Sequence, residues 1–584
     1  MKFKQKILCL ILALCITAVC LPFAVSAETA APKGLWTEYA AAKFAGGTGT
    51  KGDPYQIATA EQLALLAKEV NSGSGGTSHT GHYFILTNDI DLSGHVWKPL
   101  GYESYASGGS SAQSFEGYFD GNGKKITGLY VDERTGDSWG KNRNSGLFGC
   151  VTVIGSDPVI QNLTIENGTV LSGDGGIEEE YGVGLLVGHI TTSGGSSIKY
   201  GTIKNCTVSG TVTGTKYAGG LAGDAAFTHF ESCRSDAKVN GYCASGGFVG
   251  MTFKSEFKDC VAAGDVKSTG WSTGGFAGIL FHNTVVKHCA ALGEVEANNW
   301  NLGGFVGYLE DSSTVQNSIA MGDVKSNLLY NPKAGGFTGT AINGSKVENC
   351  HAAGKITTAH SGDIGGFIAV GDGSSAASCS FDNEKNPALS GVGAIVSGTY
   401  GATGAKTAEV LSNICTDYYG GHDMKAVAAE KATCTKNGHE AGTECARCKH
   451  REGFAVISAT GHTGGTATCK EKAVCTVCRE VYGNLNPNNH ANLKHTAAKA
   501  ATANAEGNIE YWYCDGCGKY YSDAAAQTEI TKAGTVKAKL AGGKNSPNTR
   551  DGANLILLTA LAFVSGGAAV GTAVYTIKKK HSEN

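Results

Sequence analysis

The chain has 584 residues, of which 85 are glycine and 9 are proline, and its formal net charge is −3. This length allows several domains, and so much glycine without a strict triplet repeat excludes collagen and favours short strands joined by tight turns. The balanced charge provides no basic field, which argues against a nucleic-acid partner.

The N-terminal segment has the features of a secretory signal peptide. Lys2, Lys4 and Lys6 precede an apolar stretch, and Ala-Val-Ser-Ala at 24–27 is a small-residue cleavage site. We therefore expect residues 1–27 to be removed and the mature chain to be extracellular. The alternative is an uncleaved anchor helix, for which the apolar stretch is short.

Residues 28–83 are expected to form an N-terminal cap that contains a helix. Thr59 and Gln62 have the spacing of a capping box, and Leu63 and Val70 lie on one face of the helix that follows. A repetitive β structure needs such a cap, because its first coil otherwise exposes apolar surface and strand edges.

The central region repeats two phrases in step. A glycine pair followed by an apolar residue begins at Gly219, Gly246, Gly274, Gly303, Gly335 and Gly365, with spacings of 27, 28, 29, 32 and 30 residues. The second phrase ends at Cys206, Cys233, Cys260, Cys289, Ser318, Cys350 and Cys379. Two phrases with one period predict that residues 84–415 form a parallel β-helix with about three strands per coil and about 4.8 Å between coils. The cysteines are then expected to stack as an inward row of unreactive thiols.

These phrases resemble a known bacterial motif. Gly146-Leu147-Phe148-Gly149 and Gly184-Leu185-Leu186-Val187-Gly188, with the later glycine pairs, are similar to the GLUG motif of bacterial surface proteins. Residues 48–91 and 119–123 resemble the segments that precede GLUG arrays. The resemblance implies a mainly β, secreted or cell-surface protein, adhesin-like in some members, and it specifies no activity.

Residues 427–540 contain three copies of a small cysteine-rich module, joined to the β-helix by an expected linker at 416–426. Ala-Thr-Cys at 432–434 and 467–469 and Ala-Thr-Ala at 501–503 each precede a Cys-x-x-Cys pair. The pairs are Cys445/Cys448, Cys475/Cys478 and Cys514/Cys517. The modules resemble the cysteine-containing tail repeats of secreted Firmicutes proteins.

One cysteine, a Cys-x-x-Cys pair and a histidine make a tetrahedral zinc set. The spacing predicts one set of His462, Cys469, Cys475 and Cys478, and another of Cys434, Cys445, Cys448 and either His439 or His450. The third module keeps Cys514 and Cys517, near His490 or His495. Disulfides are the open alternative in a secreted module with little core. Both interpretations are structural, since a closed four-ligand site has no open position for chemistry.

An aromatic side chain stands shortly before each glycine pair. The residues are Tyr217, Tyr242, Trp271, Trp300 and Tyr330, with His360 in the same slot. If coils stack, these rings align along one corner, and an exposed row of flat rings suits a glycan or a protein partner. The alternative is that the rings stack on one another and stiffen the turns.

Carboxylates also recur at one position of consecutive coils, at Asp265, Glu294 and Asp323. Like charges about 5 Å apart repel and need screening. Lys267 and Lys325 provide that screening in one interpretation, and a calcium ion provides it in the other.

The chain shows no strong signature of an enzyme. Asp89, Asp91 and Asp120 are loose candidates for the paired carboxylates of a polysaccharide lyase or hydrolase, but turn and strand roles explain them. No HExxH, nucleophile elbow or phosphate loop is present. We therefore expect an adhesin-like or display protein that is not an enzyme, with a carbohydrate-active enzyme or a purely structural stalk as alternatives.

The C-terminal end resembles a sortase sorting signal. Ser546-Pro547-Asn548-Thr549-Arg550, in a polar spacer at 541–552, precedes an apolar stretch at 553–577 and a basic tail at 578–584. Compared with the common Leu-Pro-x-Thr-Gly, Pro547 and Thr549 match, while Ser546 and Arg550 depart. The resemblance implies cleavage after Thr549 and attachment to peptidoglycan. The alternative is a single-pass transmembrane anchor whose lysines stay in the cytoplasm.

Overall fold

The structure is a computed structural model. It describes residues 32–72, 79–104, 111–134, 144–155, 157–173, 181–192, 198–298 and 300–541. The expected signal peptide, sorting motif, transmembrane stretch and basic tail lie outside these described residues. Within them, no helix combines the length and the apolar character needed to cross a membrane.

The described chain forms two compact units. The first runs to Glu430 and also includes His439–Val456, whereas the second contains Lys431–Gly438 and everything from Ile457 onward. The cap and the β-helix lie in the first unit. The first Cys-x-x-Cys pair also belongs to it, so the three similar modules are divided between the units.

The N-terminal cap forms around the predicted helix, α1, which spans Ala60–Asn71. Thr59 Oγ1 accepts a hydrogen bond from the N–H of Gln62, and Gln62 Oε1 accepts one from the N–H of Ala58. The first bond is that of the standard capping box and satisfies a free N–H of the first helical turn, whereas the second reaches the N–H one residue before the N-cap. Leu63 and its neighbours on the buried face cover the first coil.

The regular coils contain five short strands, not the three expected from the sequence. In one coil they span Val266–Ser268, Ser272–Gly274, Ala277–Phe281, Val285–Lys287 and Ala290–Ala291. Each strand pairs in parallel with its equivalent in the next coil. The count is higher because the glycine-pair phrase and the cysteine phrase, each expected to be one strand, are both corners between two strands.

Stacked coils build three long parallel sheets, the arrangement of a parallel β-helix. The largest has 27 strands and runs from Tyr55–Ile57 to Gly398–Ala405. The seven-stranded sheet contains Gly182–Val183, Tyr217–Gly219, Ala244–Gly246, Ser272–Gly274, Asn301–Gly303, Lys333–Gly335 and Asp363–Gly365. The nine-stranded sheet contains Phe148–Val153, Val187–Thr192, Ala222–Ala226, Val249–Phe253, Ala277–Phe281, Val306–Leu309, Thr338–Ile342, Ile368–Asp372 and Val392–Ile395.

A column of stacked phenylalanines forms the centre of the core. Its members are fully buried and follow the glycine pairs, at Phe248, Phe276, Phe305, Phe337 and Phe367. Successive ring centroids are 5.0, 4.8, 4.8 and 4.9 Å apart, and the ring planes are nearly parallel. This spacing equals the distance between hydrogen-bonded strands. Equal positions of consecutive coils therefore lie directly over one another, as predicted.

The glycine pair repeats because the corner has no room for side chains. A Cβ on Gly274 would lie 2.2 Å from the carbonyl oxygen of Ala277. A Cβ on Gly275 would lie 2.2 Å from the carbonyl oxygen of Gly304 in the next coil. Both clashes involve backbone atoms, which cannot move aside easily. The glycine pair is therefore needed for close backbone packing at the corner and does not form a nucleotide-binding loop.

The cysteine row is confirmed as a buried column of free thiols. Cys260 Sγ, for example, donates to the carbonyl oxygens of Lys258, at 3.3 Å, and of Phe230 in the preceding coil, at 3.5 Å. Burial raises the pKa of Cys260 well above its usual range. These thiols are therefore packing groups, as expected.

The residue before each cysteine makes the turn, a role that the sequence interpretation missed. Each such residue has a left-handed backbone with φ between 49° and 56°: Asn205, Ser232, Asp259, His288, Asn317, Asn349 and Ser378. Asn and Asp tolerate this conformation better than most residues. The recurring short polar residue in the second phrase was the available signal.

The C-terminal end of the β-helix folds back along its side. Helix α2, Thr407–Asn413, and the π-helical turn Ile414–Tyr418 form this segment, which we name the strap. It packs on Ala290, Ile319 and Ala353, which come from three successive coils.

Two histidines of the coils hold the end of the strap. His288 Nε2 lies 2.5 Å from the carbonyl oxygen of Tyr418, and His351 Nε2 lies 3.0 Å from Asp417 Oδ2. Residues 416–426, expected to be a linker, therefore begin inside a packed element.

The described tail consists of short antiparallel strands. In the first unit these are Met424–Val427, Gly442–Cys445 and Arg451–Glu452. In the second unit they include Ala473–Val474 with Val481–Tyr482, Gly507–Asn508 with Val536–Lys537, and a sheet of Leu493–Thr496, Tyr511–Cys514, Tyr520–Tyr521 and Glu529–Ile530. The expectation of small β modules agrees with these strands.

Replacing Phe305 by alanine is expected to lower the free energy of unfolding of the β-helix by about 3–5 kcal/mol, because the column loses a ring with neighbours on both sides. Urea unfolding followed by circular dichroism measures this change. The matched control is Trp300→Ala, whose ring is 61% exposed and whose loss should cost less than about 0.5 kcal/mol. Equal losses in the two variants would contradict the role of the column.

His351 should make stability depend on pH. Burial lowers the pKa of His351, and the contact with Asp417 only partly opposes this effect. The unfolded chain therefore takes up this proton first, near pH 6.5, and stability is lost as the pH falls below that value. The loss is about 1.4 kcal/mol per unit of pKa difference.

Urea unfolding of the wild type and His351→Gln between pH 7.5 and 5 measures this loss. The wild type should lose stability more steeply than the variant. Replacing the exposed His360 by glutamine should leave the slope unchanged. Parallel curves for the wild type and His351→Gln would rule out this linkage.

Candidate functional site: an aromatic groove and three cysteine clusters

Two tryptophans of the predicted aromatic row share one register. Ser272 pairs with Asn301 on the next coil, which places Trp271 beside Trp300. Tyr242 lies one residue out of this register, because Ala244 pairs with Ser272. The distance from each ring to the next glycine pair could have predicted this register. Both tryptophans stand three residues before their glycine pair. The distance is two residues for Tyr217, four for Tyr242 and five for Tyr330.

Tyr217 and Tyr330 lie away from the tryptophans. Tyr217 faces Ala244 across the sheet and is only 8% exposed, so its predicted place in an exposed row was wrong. Tyr330 is 81% exposed, but it belongs to the coil with the longest spacing, 32 residues, and the extra length shifts it along the chain.

The remaining three rings line one groove. The groove has a volume of about 200 Å³ and is lined by Tyr242, Trp271 and Trp300 together with Thr269, Gly270, Asn298 and Leu328. The tryptophans are 58% and 61% exposed. Within the described chain, neither indole is in contact with another aromatic ring, which disfavours the alternative that they stiffen the turns by stacking.

In the carboxylate row predicted at Asp265, Glu294 and Asp323, the two aspartates each accept a backbone N–H of the next coil. Asp265 Oδ1 accepts from the N–H of Glu294 in the next coil, at 3.0 Å. Lys267 and Lys325, expected to screen the row, both bind Glu296 instead, at 3.4 and 2.8 Å. The hydrogen bonds of Lys325 and Asn327 lower the pKa of Glu296 to about 2. The row thus gathers no cluster of ligands for calcium among the described residues.

The three loose catalytic candidates also have backbone partners. Asp89 Oδ1 accepts from the N–H of Lys125 at 2.9 Å, and Asp91 Oδ1 accepts from the N–H of Ser93 at 2.9 Å. Asp120 Oδ1 accepts from the N–H two residues later, at 2.7 Å. These are turn and strand roles, as the sequence indicated.

A second groove near the cap was missed by sequence reasoning. The rings of Tyr83 and Tyr118 stack with centroids 4.5 Å apart. Together with Asp157 and Lys51 they line a cavity of about 260 Å³. Lys51 Nζ and the Tyr83 hydroxyl donate to Asp157 at 2.6 and 2.7 Å and lower the pKa of its carboxyl. The groove therefore places two stacked tyrosine rings beside an ion pair.

Three clusters in the tail bring together the ligands of a metal ion. Each has three cysteines and one histidine whose ligand atoms lie within 4.8 Å of one another. We name them the first, second and third clusters: Cys415, His422, Cys445 and Cys448; Cys434, His462, Cys475 and Cys478; and Cys469, His490, Cys514 and Cys517. Each cluster could hold a metal ion.

The grouping predicted from the sequence was therefore wrong in detail. Cys434 and Cys469 do not join the Cys-x-x-Cys pair of their own module but the pair of the following module. His439, His450 and His495 belong to no cluster of the described residues. His422 and Cys415 were missed because they precede the first module.

Distances within the clusters are alike. The Sγ atoms of Cys415 and Cys445 are 3.8 Å apart, and Cys448 Sγ is 3.2 Å from His422 Nδ1. The corresponding distances are 3.7 and 3.3 Å in the second cluster. In the third cluster both are 3.5 Å.

One turn shapes all three Cys-x-x-Cys pairs. The N–H of the residue after the second cysteine donates to the carbonyl oxygen of the first, at 3.1 Å for Lys449, 3.0 Å for Arg479 and 2.8 Å for Gly518. These three residues have positive φ. The turn aims N–H groups at the first sulfur, and the N–H of Cys478 contributes most to lowering the pKa of Cys475 to about 5. The thiolate is the form that binds metals.

Comparison with known proteins agrees with the repeat. The family model described as "The GLUG motif" matches residues 179–213 and 331–357. This chain carries the GLUG motif. The matched segments are GLUG coils of the β-helix, so the resemblance based on the glycine phrases is confirmed.

Two curated proteins are similar to parts of the chain. A "Putative Gly-rich membrane protein" of Evansella cellulosilytica is 33% identical over 28% of this chain. Halomucin of Haloquadratum walsbyi is 32% identical over 30% of it. The chain spans only 15% and 2% of their lengths.

One solved structure also matches this chain. A chain from Bacteroides ovatus, named "putative immunoglobulin A1 protease", is 20% identical and has a TM-score of 0.35. The match covers 65% of this chain and 92% of that one.

Proposed function

We propose that this GLUG protein is displayed at the bacterial surface and binds a carbohydrate through the groove of Tyr242, Trp271 and Trp300. The observation that carries the proposal is the pair of tryptophans in register on consecutive coils, both more than half exposed. The two tryptophans stand directly before paired strands of consecutive coils, about 4.8 Å apart, so the rigid sheet holds them in place. Rigid aromatic faces provide large contact area at low entropic cost.

The surface location draws on three supports. The N-terminal segment has the form of a secretory signal, and one relative is named as a membrane protein. The GLUG coils add the likeness to surface proteins. In this proposal, sortase joins Thr549 to peptidoglycan, or the apolar stretch at 553–577 anchors the chain in the membrane. Either attachment keeps the β-helix outside the cell.

Binding is favoured over catalysis by the state of the acidic residues. Asp89, Asp91 and Asp120 accept backbone N–H groups in turns and between coils. No free pair of carboxylates stands beside the tryptophan groove, whose described lining residues are aromatic, apolar or neutral. We therefore propose a binding protein that is not an enzyme, in preference to a lyase or hydrolase.

The double variant Trp271→Ala/Trp300→Ala tests the groove. Removing two aromatic anchors of about 2 kcal/mol each, about 4 kcal/mol together, should weaken binding to glycans on the order of 1,000-fold. Binding to a glycan array measures this loss, with titration calorimetry on the best glycan. The melting temperature should hardly change, since both side chains are exposed.

Tyr200→Ala serves as the matched control. Tyr200 is a partly exposed ring on the β-helix that packs beside His229, away from the groove. Its loss should leave glycan binding unchanged. An unchanged titration for the double variant would refute the proposed role of the groove in glycan binding. Binding only to proteins would refute it too, as would no binding to any glycan, which is the result expected of a pure stalk.

A further inference from the structure

We infer that the tail holds three structural zinc ions in interleaved Cys₃His centres, and that the first centre fastens the strap of the β-helix to the tail hairpin after it. The three clusters defined above are these centres. They have no part in the carbohydrate groove, so this inference is independent of the proposed binding function.

The distances match a tetrahedron around zinc. Four ligands about 2.3 Å from a zinc ion lie about 3.8 Å from one another when sulfur is the ligand, and slightly closer when one is nitrogen. The sulfur–sulfur distances are 3.8, 3.7 and 3.5 Å, and the sulfur–nitrogen distances are 3.2, 3.3 and 3.5 Å. A disulfide would bring two sulfurs to about 2.05 Å, and all seventeen described cysteines are free.

The composition of the clusters also favours a metal over disulfides. Each contains three cysteines, so one disulfide would leave a thiol and a histidine without a role. Three thiolates and one imidazole in tetrahedral arrangement are a preferred set of zinc. Calcium and magnesium prefer oxygen ligands, and none of the clusters supplies a carboxylate.

The second unit needs such centres because it has almost no hydrophobic core. Its buried hydrophobic side chains, within the described residues, are Cys434, Ala473, Cys475, Cys514 and Tyr521. Three of these are cluster cysteines. Small domains with so little buried surface depend on metals or cross-links for stability.

Interleaving explains a gap in the repeat. Cys434 of the first module serves the pair of the second, and Cys469 of the second serves the pair of the third. The third copy has Ala503 where the first two have these cysteines, and within the described chain no later Cys-x-x-Cys pair needs a partner. At the start of the series, Cys415 supplies the cysteine that no earlier module provides.

The first centre joins the β-helix to its tail. Cys415 lies on the π-helical turn of the strap, while Cys445 ends a hairpin strand and Cys448 lies in the turn after it. Together these three sulfurs form a small buried cluster with Leu411 and Met424 packed against it. A zinc ion there would tie the strap to the hairpin.

Metal analysis of the full chain, purified under reducing conditions, tests the inference. Inductively coupled plasma mass spectrometry should find three zinc ions per chain, and Cys415→Ser or His422→Ala should reduce the number to two. His450→Ala is the matched control: His450 stacks on His422 with centroids 4.7 Å apart, but it lies outside the cluster and its loss should leave three ions.

Alkylation after denaturation in chelator, on the chain purified without reductant, gives a second readout that does not need a folded variant. All nine cluster cysteines of the wild type should be modified, since none is in a disulfide. Disulfide-linked peptides, iron in place of zinc, or fewer than three zinc ions in the wild type would overturn the inference. Three ions retained by both Cys415→Ser and His422→Ala would overturn the first centre.

Discussion

The structure depends on one constraint: each coil hydrogen-bonds to the next at the distance between neighbouring strands. Because that distance is about 4.8 Å, each side chain must pack against the side chains at the equivalent positions of the preceding and following coils. The phenylalanine column satisfies the constraint with parallel rings, the cysteine row with small buried thiols, and the glycine corner with no side chain. The repeated glycine, phenylalanine and cysteine positions thus follow from the way the coils pack.

The tail solves the problem of stability differently. Its modules lie in short antiparallel hairpins, so no column of side chains can form, and few residues are buried. Clusters of sulfur and imidazole take the place of a core there. The β-helix uses cysteine as a buried hydrophobic residue, whereas the tail groups it with histidine in clusters that could hold a metal ion. In the β-helix the thiol faces carbonyl oxygens, whereas in the tail the turn faces the first sulfur of each pair with N–H groups.

The same constraint decides where a surface feature can extend over several coils. Trp271 and Trp300 lie side by side because their coils place them at the same distance from the glycine pair. Tyr330 is displaced by a longer coil, and Tyr217 points into the protein. A ligand-binding row on this scaffold therefore requires equal spacing to the nearest corner as well as a matching residue type.

The sequence by itself determined the β-helix, the helical cap and the buried cysteine row, because a repeated period forces equal residues into equal places. It also contained the offsets that align Trp271 with Trp300, although residue type alone did not reveal them. Only the tertiary structure decided that the regular coils have five strands and that Cys434 and Cys469 join later modules. Ligands far apart in sequence meet along the path of hairpins, and the spacing of cysteines does not encode that path.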